Sequence, residues 1–359
     1  MNRQVGVGLI GSQFITTIHA ESLKLVPDAA VLAVMSPTPG HAAAFAQRHS
    51  IPHAFTRLED MLAMEAIDMV VVGAPNIYHC DITVAAARAG KHVVVEKPLC
   101  MNLAEADRMI AACREAGVKL MYAEELCFAP KYVRLKALLD EGALGDPVLL
   151  KQSEKHDGPH ADHFWDVERS GGGVTMDMGC HAIAFFRWML GGARVRSVYA
   201  QMGTHVHGDK TRGDDNAILI LEFENGVTAM AEESWTKPGG MDDRAEVYGS
   251  KGQAYADLLR GNSILTYSTQ GVGYAVEKAG NTVGWSFTIY EEAWNYGFPQ
   301  EMAHFVDCVE HDRQPLVTGE DGRAVLEVIY AAYASAGSGQ KVYLPFEPTA
   351  DKPYKLWRP

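Results

Sequence analysis

Positive charge is in short supply in this chain. Its 359 residues hold 32 Lys and Arg against 45 Asp and Glu, a formal net charge of −13. That deficit argues against a nucleic-acid partner, whose binding surfaces are basic. Cysteine is sparse too: the six stand at positions 80, 100, 113, 127, 180 and 308, with no pair at metal-ligand spacing. Such scatter suits reduced thiols in a cytosolic protein better than a disulfide framework. No apolar run reaches the roughly 20 residues that a membrane-spanning helix needs. Strand-like sequence begins by Val5, which leaves no room for a secretory leader, so a cytoplasmic location away from membranes is expected. Internal repeats and low-complexity tracts are missing as well. What is present is an ordinary globular composition, 47% hydrophobic and 21% charged, on a chain long enough for two domains.

Short apolar strands are predicted at Val5–Ile10, Val31–Met35, Met69–Val72, Val93–Val95 and Lys119–Tyr122. Helical patterns lie between them. The clearest is Leu103–Ala116, with Asn102 as N-cap, Glu105 three residues on, and Gly117 just past its end. Repeated strand–helix–strand units with right-handed crossovers give a doubly wound parallel sheet. The run Val93-Val94-Val95 ends in Glu96-Lys97-Pro98. Lysine and glutamate are rarely buried without partners, and ligands of open parallel sheets bind outside the carboxyl ends of the strands. Lys97 is therefore expected to face a ligand.

Glycine is missing where a phosphate loop would want it. A G-x-G-x-x-G match falls on Gly6, Gly8 and Gly11, but it would put the loop inside the first strand, whereas the motif belongs at the strand-to-helix turn. In the better register the loop opens at Gly11, and Gln13 and Thr16 take the second and third glycine positions. Amides of Ser12, Gln13, Phe14 and Ile15 are then the expected anion contacts at a helix N-terminus. Past the second strand, Ser36-Pro37-Thr38 lacks the acid expected for NAD. No Lys or Arg stands between Lys24 and Arg48 to pair with a 2′-phosphate, so NAD is preferred to NADP, with Ser36 and Thr38 at the ribose.

Taken together the motifs resemble the glucose–fructose oxidoreductase, inositol dehydrogenase and rhizopine-catabolism (Gfo/Idh/MocA) family. The carrying pieces are Gly11 with His19, Ala74-Pro75-Asn76 with His79, Ala89-Gly90-Lys91-His92-Val93 and Glu96-Lys97-Pro98. Phe128-Ala129-Pro130, Gly171-Gly172-Gly173, Asp177-Met178-Gly179-Cys180-His181 and Tyr248-Gly249-Ser250-Lys251-Gly252 follow. Thr318-Gly319-Glu320-Asp321-Gly322 and Leu344-Pro345 complete the order. The resemblance implies a Rossmann domain, 1–123, and a substrate-binding α/β domain, 124–359, with a large open, mostly antiparallel sheet. It implies a homodimer or homotetramer formed through that sheet, and late helices that return to the first domain. Independently, Val195–Met202, Ala217–Glu224, Val227–Ser234 and Ala245–Tyr248 read as strands, with Asn225-Gly226 a hairpin turn. Apolar residues on both faces of Ile218–Phe223 suggest that both are covered.

Asp177 and His181 stand four apart and would share one face of a helix, after a Ser170-Gly171-Gly172-Gly173 loop expected to admit a ligand close to the backbone. By resemblance, Lys97, Asp177 and His181 form the catalytic group over the nicotinamide. Oxidising a hydroxyl sends a hydride to the nicotinamide and a proton to a base. His181 is the expected base, with Lys97 polarising the same oxygen, or the two exchange roles, and Asp177 orients a substrate hydroxyl. The resemblance also puts Pro75, Asn76, His79 and Glu96 at the cofactor. Glu125 and Cys127 replace the asparagine and arginine often found there, which leaves the contact of Glu125 open. The stretch Lys155–Arg169 is rich in His, acid and aromatic groups. Trp165 is expected under the sugar ring or nicotinamide, and Lys155, His156 and Arg169 around an anionic substituent. Zinc on His156, His160 and His163 is the alternative, although the family needs no metal.

Three functions follow. The first is an NAD-dependent dehydrogenase acting on a sugar or cyclitol hydroxyl. The second is a redox-neutral NAD-dependent glycosidase, which oxidises C3, eliminates the C1 substituent, adds water and returns the hydride; its substrate would be a glycoside, including anionic ones such as a uronide or sulfosugar. The third is a non-catalytic NAD-binding sensor.

Overall fold

The computed structural model describes residues 3–259, 264–269, 283–288 and 292–358. It divides into two units, Met1–Glu125 with Gly297–Leu326 and Leu126–Tyr296 with Glu327–Pro359.

In the first unit β1 (Val5–Ile10), α1 (Phe14–Leu23), β2 (Ala29–Met35), α2 (His41–His49), β3 (His53–Phe55) and α3 (Leu58–Leu62) are followed by β4 (Met69–Val72), α4 (His79–Arg88), β5 (His92–Glu96), α5 (Leu103–Ala116) and β6 (Leu120–Ala123). All six strands are parallel, in the order β3-β2-β1-β4-β5-β6. The strand order reverses between β1 and β4, where a doubly wound sheet opens its ligand crevice. Val93, Val94 and Val95 are wholly buried, because β5 is an interior strand covered on both faces. The α5 helix has the predicted bounds. Asn102 accepts from Glu105 N at 2.9 Å, Glu105 accepts from N of Met101, the residue before the cap, at 3.0 Å, and Gly117 closes the helix at φ 68°, a side-chain N-cap with a left-handed stop. Later in the chain the helix Phe298–Glu310 packs on α1.

The second unit holds α6 (Pro130–Asp140), β7 (Pro147–Lys155), α7 (Val167–Ser170), α8 (Val174–Asp177), α9 (Gly179–Met189), β8 (Val195–Gly203), β9 (Asn216–Phe223), β10 (Thr228–Ser234), β11 (Asp242–Gly249) and β12 (Gln253–Asp257). A ribbon of β13 (Ile264–Ser268) and β14 (Gly284–Thr288) and a short β15 (Val342–Tyr343) follow. The main sheet runs β12-β11-β7-β10-β9-β8-β15 and is antiparallel except between β7 and β10. Gly226 turns β9 into β10 at φ 86°.

Two expectations change here. The central strand β7 was not legible, because its buried face is polar: Gln152 and Glu154 carry only 1% and 5% exposure. Glu154 stands in register between Glu233 of β10 and Asp243 of β11. Burial raises the Asp243 carboxyl to about 7 and lifts that of Glu233 well above the usual range, so this face holds protons as well as acids. On β9, Leu219 and Leu221 are buried, but Ile218 and Ile220 are 45% and 40% exposed. Among the described residues only one face of β9 is covered, and Ile218 and Ile220 on the other are exposed.

Candidate functional site: two half-sites

Gly6 and Gly8 belong to the interior of β1, where a Cβ would lie 1.9 Å from the Ala66 carbonyl oxygen and 3.1 Å from the Ile67 side chain. They are packing glycines, and the loop starts at Gly11, whose φ of +121° no side chain tolerates easily. A Cβ on Gly11 would meet the carbonyl oxygen of Gly73 at 2.5 Å and the Thr16 hydroxyl at 2.6 Å, and one on Gly73 would meet that hydroxyl at 2.7 Å. Thr16, in the third glycine position, thus fits because Gly73 at the end of β4 makes room for it. The close approach of helix and sheet survives, with its glycine moved to the facing strand. Gln13 is extended and its side chain does not cap α1, which suits an anion at the first helical turn, where Ser12, Phe14 and Ile15 also stand. Ser12 Oγ and Ser36 Oγ are 3.1 Å apart. Ser36 is buried and Thr38 exposed, so this turn presents no fixed charge.

At the ends of β4 and β5 the groups interlock. Pro75 is half-buried and Asn76 buried. His79 is fully buried, its Nδ1 3.0 Å from the Pro98 carbonyl oxygen and its Nε2 2.7 Å from that of Ala74. The expected direct contact of His79 with cofactor is therefore revised: the ring is enclosed by backbone and braces the turn that carries Lys97. Burial pushes its pKa down against the neighbouring carbonyls, which favours a neutral ring with one donor. The Lys97–Pro98 bond is cis, and Lys97 itself is half-buried. Glu96, 5% exposed, lies 2.5 Å from Nε2 of the buried His19 and accepts from Lys97 N at 3.1 Å. The sequence marked His19 only as a motif member; its partner across 77 residues carries no local signal.

Glu301, on the helix Phe298–Glu310, is completely buried. Burial, then the carboxylates of Glu125, Glu96 and Glu124, push its pKa well above 4.5. Its folded pKa exceeds its unfolded one, so the folded chain binds the proton more tightly. Stability from this group is present below the unfolded value and is lost as pH rises through the folded one. Replacing Glu301 with Gln keeps the shape and removes the titration. As pH rises above the ordinary glutamate value, the melting temperature of E301Q should fall less than that of the parent; parallel profiles of melting temperature against pH would refute a raised pKa at Glu301.

The second unit carries the other half. Asp177 and His181 are each 3% exposed, but they do not ride one continuous helix. Asp177 ends α8, Met178 interrupts at φ −111°, and His181 lies in the first turn of α9. The break lets both groups keep the same neighbourhood while Trp235 Nε1 donates to Asp177 Oδ2 at 3.1 Å. Trp235 is wholly buried. Its carbonyl accepts from Gly158 N at 2.8 Å and stands 3.0 Å from His207 Nε2. The sequence reading missed it, since a tryptophan closing a strand reads first as core.

The glycine loop serves a different purpose from the one expected. A Cβ on Gly173 would sit 2.0 Å from the Asp214 carbonyl oxygen, and one on Gly172 would sit 2.2 Å from the Tyr333 hydroxyl. The close approach is to the protein's own backbone and to Tyr333. Asp214, fully buried, accepts from Gly173 N at 3.1 Å, Thr175 N at 2.9 Å, Thr175 Oγ1 at 2.6 Å and the Tyr333 hydroxyl. It pins the start of α8, and so places Asp177 at its other end.

Lys155, His156 and Arg169 do not gather. Lys155 points to the open face of β7 and pairs with Glu232 at 2.6 Å. His156 is buried, with Nδ1 2.6 Å from the Gly158 carbonyl oxygen and its ring 4.6 Å from that of His160. Arg169 is exposed on α7. Strand alternation sends residues 155 and 156 to opposite sides. His163 stacks instead on Phe164 at 4.5 Å. Trp165 lies 5.4 Å from Trp235, edge to face, and 5.0 Å from His207.

Residues 5–124 match the model of an oxidoreductase family with an NAD-binding Rossmann fold, and residues 132–255 match the GFO/IDH/MocA C-terminal domain. The chain is 29% identical over 340 residues to the myo-inositol 2-dehydrogenase of Thermotoga maritima, spanning 94% of this chain and 98% of that one. It is 30% identical over 336 residues to the 1,5-anhydro-D-fructose reductase of Ensifer adhaerens, spanning 93% and 96%. Among solved structures, GenD2 from gentamicin A biosynthesis, crystallised with NAD, superposes with a TM-score of 0.90 at 31% identity over 96% of this chain and 98% of that one.

Proposed function

We propose, from the premise that this chain belongs to the Gfo/Idh/MocA family of NAD-binding oxidoreductases, that it oxidises a secondary hydroxyl of a sugar or cyclitol. The observation that carries the reading is Lys97, half-buried just past Val93, Val94 and Val95, which have no exposure. A hydroxyl being oxidised requires a proton carrier, and a lysine at the carboxyl end of a parallel strand stands where such a sheet binds its ligand. Full-length similarity to proteins named for cyclitol and sugar substrates supports the same class. When bound, the nicotinamide supplies the hydride acceptor.

The chain's own residues divide the remaining work. His181 takes the proton of the reacting hydroxyl as general base, and Lys97 donates a hydrogen bond to the same oxygen; the exchanged assignment uses the same two groups. Asp177, oriented by the indole of Trp235, accepts from a neighbouring hydroxyl and fixes which carbon faces the cofactor. A carboxylate so held discriminates strongly against a substrate lacking that hydroxyl. Glu96, tied to His19, steadies the backbone N–H of Lys97.

Incubation with NAD and a panel of free sugars, inositols and aryl glycosides in deuterated buffer tests this. Reduced cofactor should accumulate in step with oxidised product. Release of aglycone with deuterium at C2 and no net reduced cofactor would assign the redox-neutral glycosidase instead. Binding of NAD with neither signal would leave only a sensor.

A further inference from the structure

Neither of the two short helices that lead to Asp177 can hold itself. α7 (Val167–Ser170) and α8 (Val174–Asp177) have four residues each, far below the roughly 12 that an isolated helix needs. Asp214 and Tyr333 anchor the turn between them through Gly173 N. A second set of bonds comes from the segment Asp351–Arg358, all within the second unit. Tyr354 N donates to the Gly171 carbonyl at 3.2 Å, and Lys352 Nζ to that of Glu168 at 2.9 Å. The Glu168 carboxylate accepts from both side chains, Lys352 Nζ and the Tyr354 hydroxyl, which hold its pKa down to about 2. That carboxylate is 45% exposed, so its charge alone stabilises little. The bonds to the two backbone carbonyls fix the turn.

The segment is itself moored. Tyr330, on the helix Gly319–Ser338, donates its hydroxyl to the Asp351 carbonyl at 2.9 Å. A Cβ on Gly337 would lie 2.2 Å from the Leu356 carbonyl oxygen, so that helix presents a glycine where the segment crosses it. The Trp357 ring stands 6.5 Å from that of Tyr333, whose hydroxyl meets Gly173 N and Asp214. Arg358 Nη1 donates to Thr204 Oγ1 at 3.1 Å, and that hydroxyl donates to the Gly213 carbonyl at 2.7 Å. Pro353 and Tyr354 are buried. The segment thus ties α7, the glycine loop and the residue before Asp214 into one assembly. α8 spans only about 6 Å, so a shift of the loop is passed on to Asp177 at its far end.

We propose that Asp351–Arg358 is a clasp that sets the position of α8, and so of Asp177, with Lys352 and Tyr354 as its positioning residues. That the clasp bears on turnover rests on the sugar-oxidising reading above; that it holds the loop does not.

A chain ending at Ala350 and the double variant Lys352→Met, Tyr354→Phe are compared with the full chain. The second keeps the buried ring of Tyr354 and severs the bonds to Glu168. The amides of Gly173 and Thr175 should exchange with deuterated solvent roughly tenfold faster in the first and about threefold faster in the second, while those of β9 and β10 keep their protection. For the sugar or cyclitol of the panel that turns over fastest, the advantage in kcat/KM over its most strongly rejected monodeoxy analogue should fall about fivefold or more, with NAD affinity unchanged. A mere loss of folded protein lowers kcat for both and leaves that ratio alone. Where the shortened chain also loses protection in β9 and β10, the double variant decides. Exchange unmoved in the double variant, or faster exchange with an unmoved ratio, overturns the proposal. Faster exchange in a chain that turns over no sugar or cyclitol sinks the oxidising reading and keeps the clasp. Turnover with exchange unmoved sinks the clasp and keeps the reading.

Discussion

The Lys97→Ala variant should lose turnover by a factor of roughly 10² to 10⁴, the range contributed by a positioned proton-transfer group, while its affinity for NAD stays within a few-fold of the parent. The expectation comes from how the chain delivers this side chain. Val93, Val94 and Val95 are buried without exposure, so the strand end is fixed. His79 spans from the Ala74 carbonyl to that of Pro98 and holds the turn that follows. An amine so delivered has a fixed origin, and alanine removes it without disturbing the strand. Arginine at the same position should rescue little, because its planar fork and permanent charge do not replace a compact donor that also gives up a proton. Steady-state rates on the best free sugar and titration of NAD by fluorescence check both statements. An alanine variant with at least half the parent rate would remove Lys97 from the reaction, and one that loses NAD binding in parallel would make it a cofactor anchor.

The largest structural effect should come from Asp214→Ala. The carboxylate accepts from Gly173 N, Thr175 N, Thr175 Oγ1 and the Tyr333 hydroxyl, all buried. Alanine strands Thr175 N, Thr175 Oγ1 and the Tyr333 hydroxyl away from water, while Gly173 N keeps the Tyr333 oxygen as acceptor. Each orphaned buried donor costs about 1–3 kcal/mol. Against a total stability of about 5–15 kcal/mol, that is a large share. A fall in melting temperature on the order of 10 °C is expected. Tyr333→Phe, which removes a single donor and leaves the carboxylate with three, should cost about 1–2 kcal/mol. A stability change in D214A no larger than that of Y333F would show that the network is not what holds α8 in place.

The sequence carried the first unit further than the second, for physical reasons visible in particular residues. The α5 helix announces itself through Asn102, Glu105 and Gly117, each a local cap whose chemistry needs no distant partner. The strands β4 and β5 are apolar throughout, as interior parallel strands must be. In the phosphate loop the register was legible from Gly11, but the reason Thr16 is tolerated was not, because Gly73 lies 57 residues downstream and the two meet only in the folded sheet.

In the second unit, β7 hides its strand character behind Gln152 and Glu154, whose burial is sustained by neighbours on β10 and β11. The pair Asp177 and His181 stands out by chemistry, but its spacing suggests one helix where the chain has two. Spacing alone does not reveal the interruption at Met178. Trp235 and Asp214, which hold Asp177 from its two sides, carry no motif. Their parts appear only once long-range hydrogen bonds are drawn.

The turn after β2 carries a consequence for redesign. Ser36 is locked inward against Ser12, and Thr38 stands open to solvent with no charge of either sign nearby in the turn. Nucleotide preference in most sheets of this kind is enforced by an acid that repels the extra phosphate, so re-targeting them means first dismantling a barrier. Here no barrier has to come down. An arginine installed at Thr38 is therefore expected to raise affinity for NADP relative to NAD without a compensating deletion, and competition between the two nucleotides reads the shift.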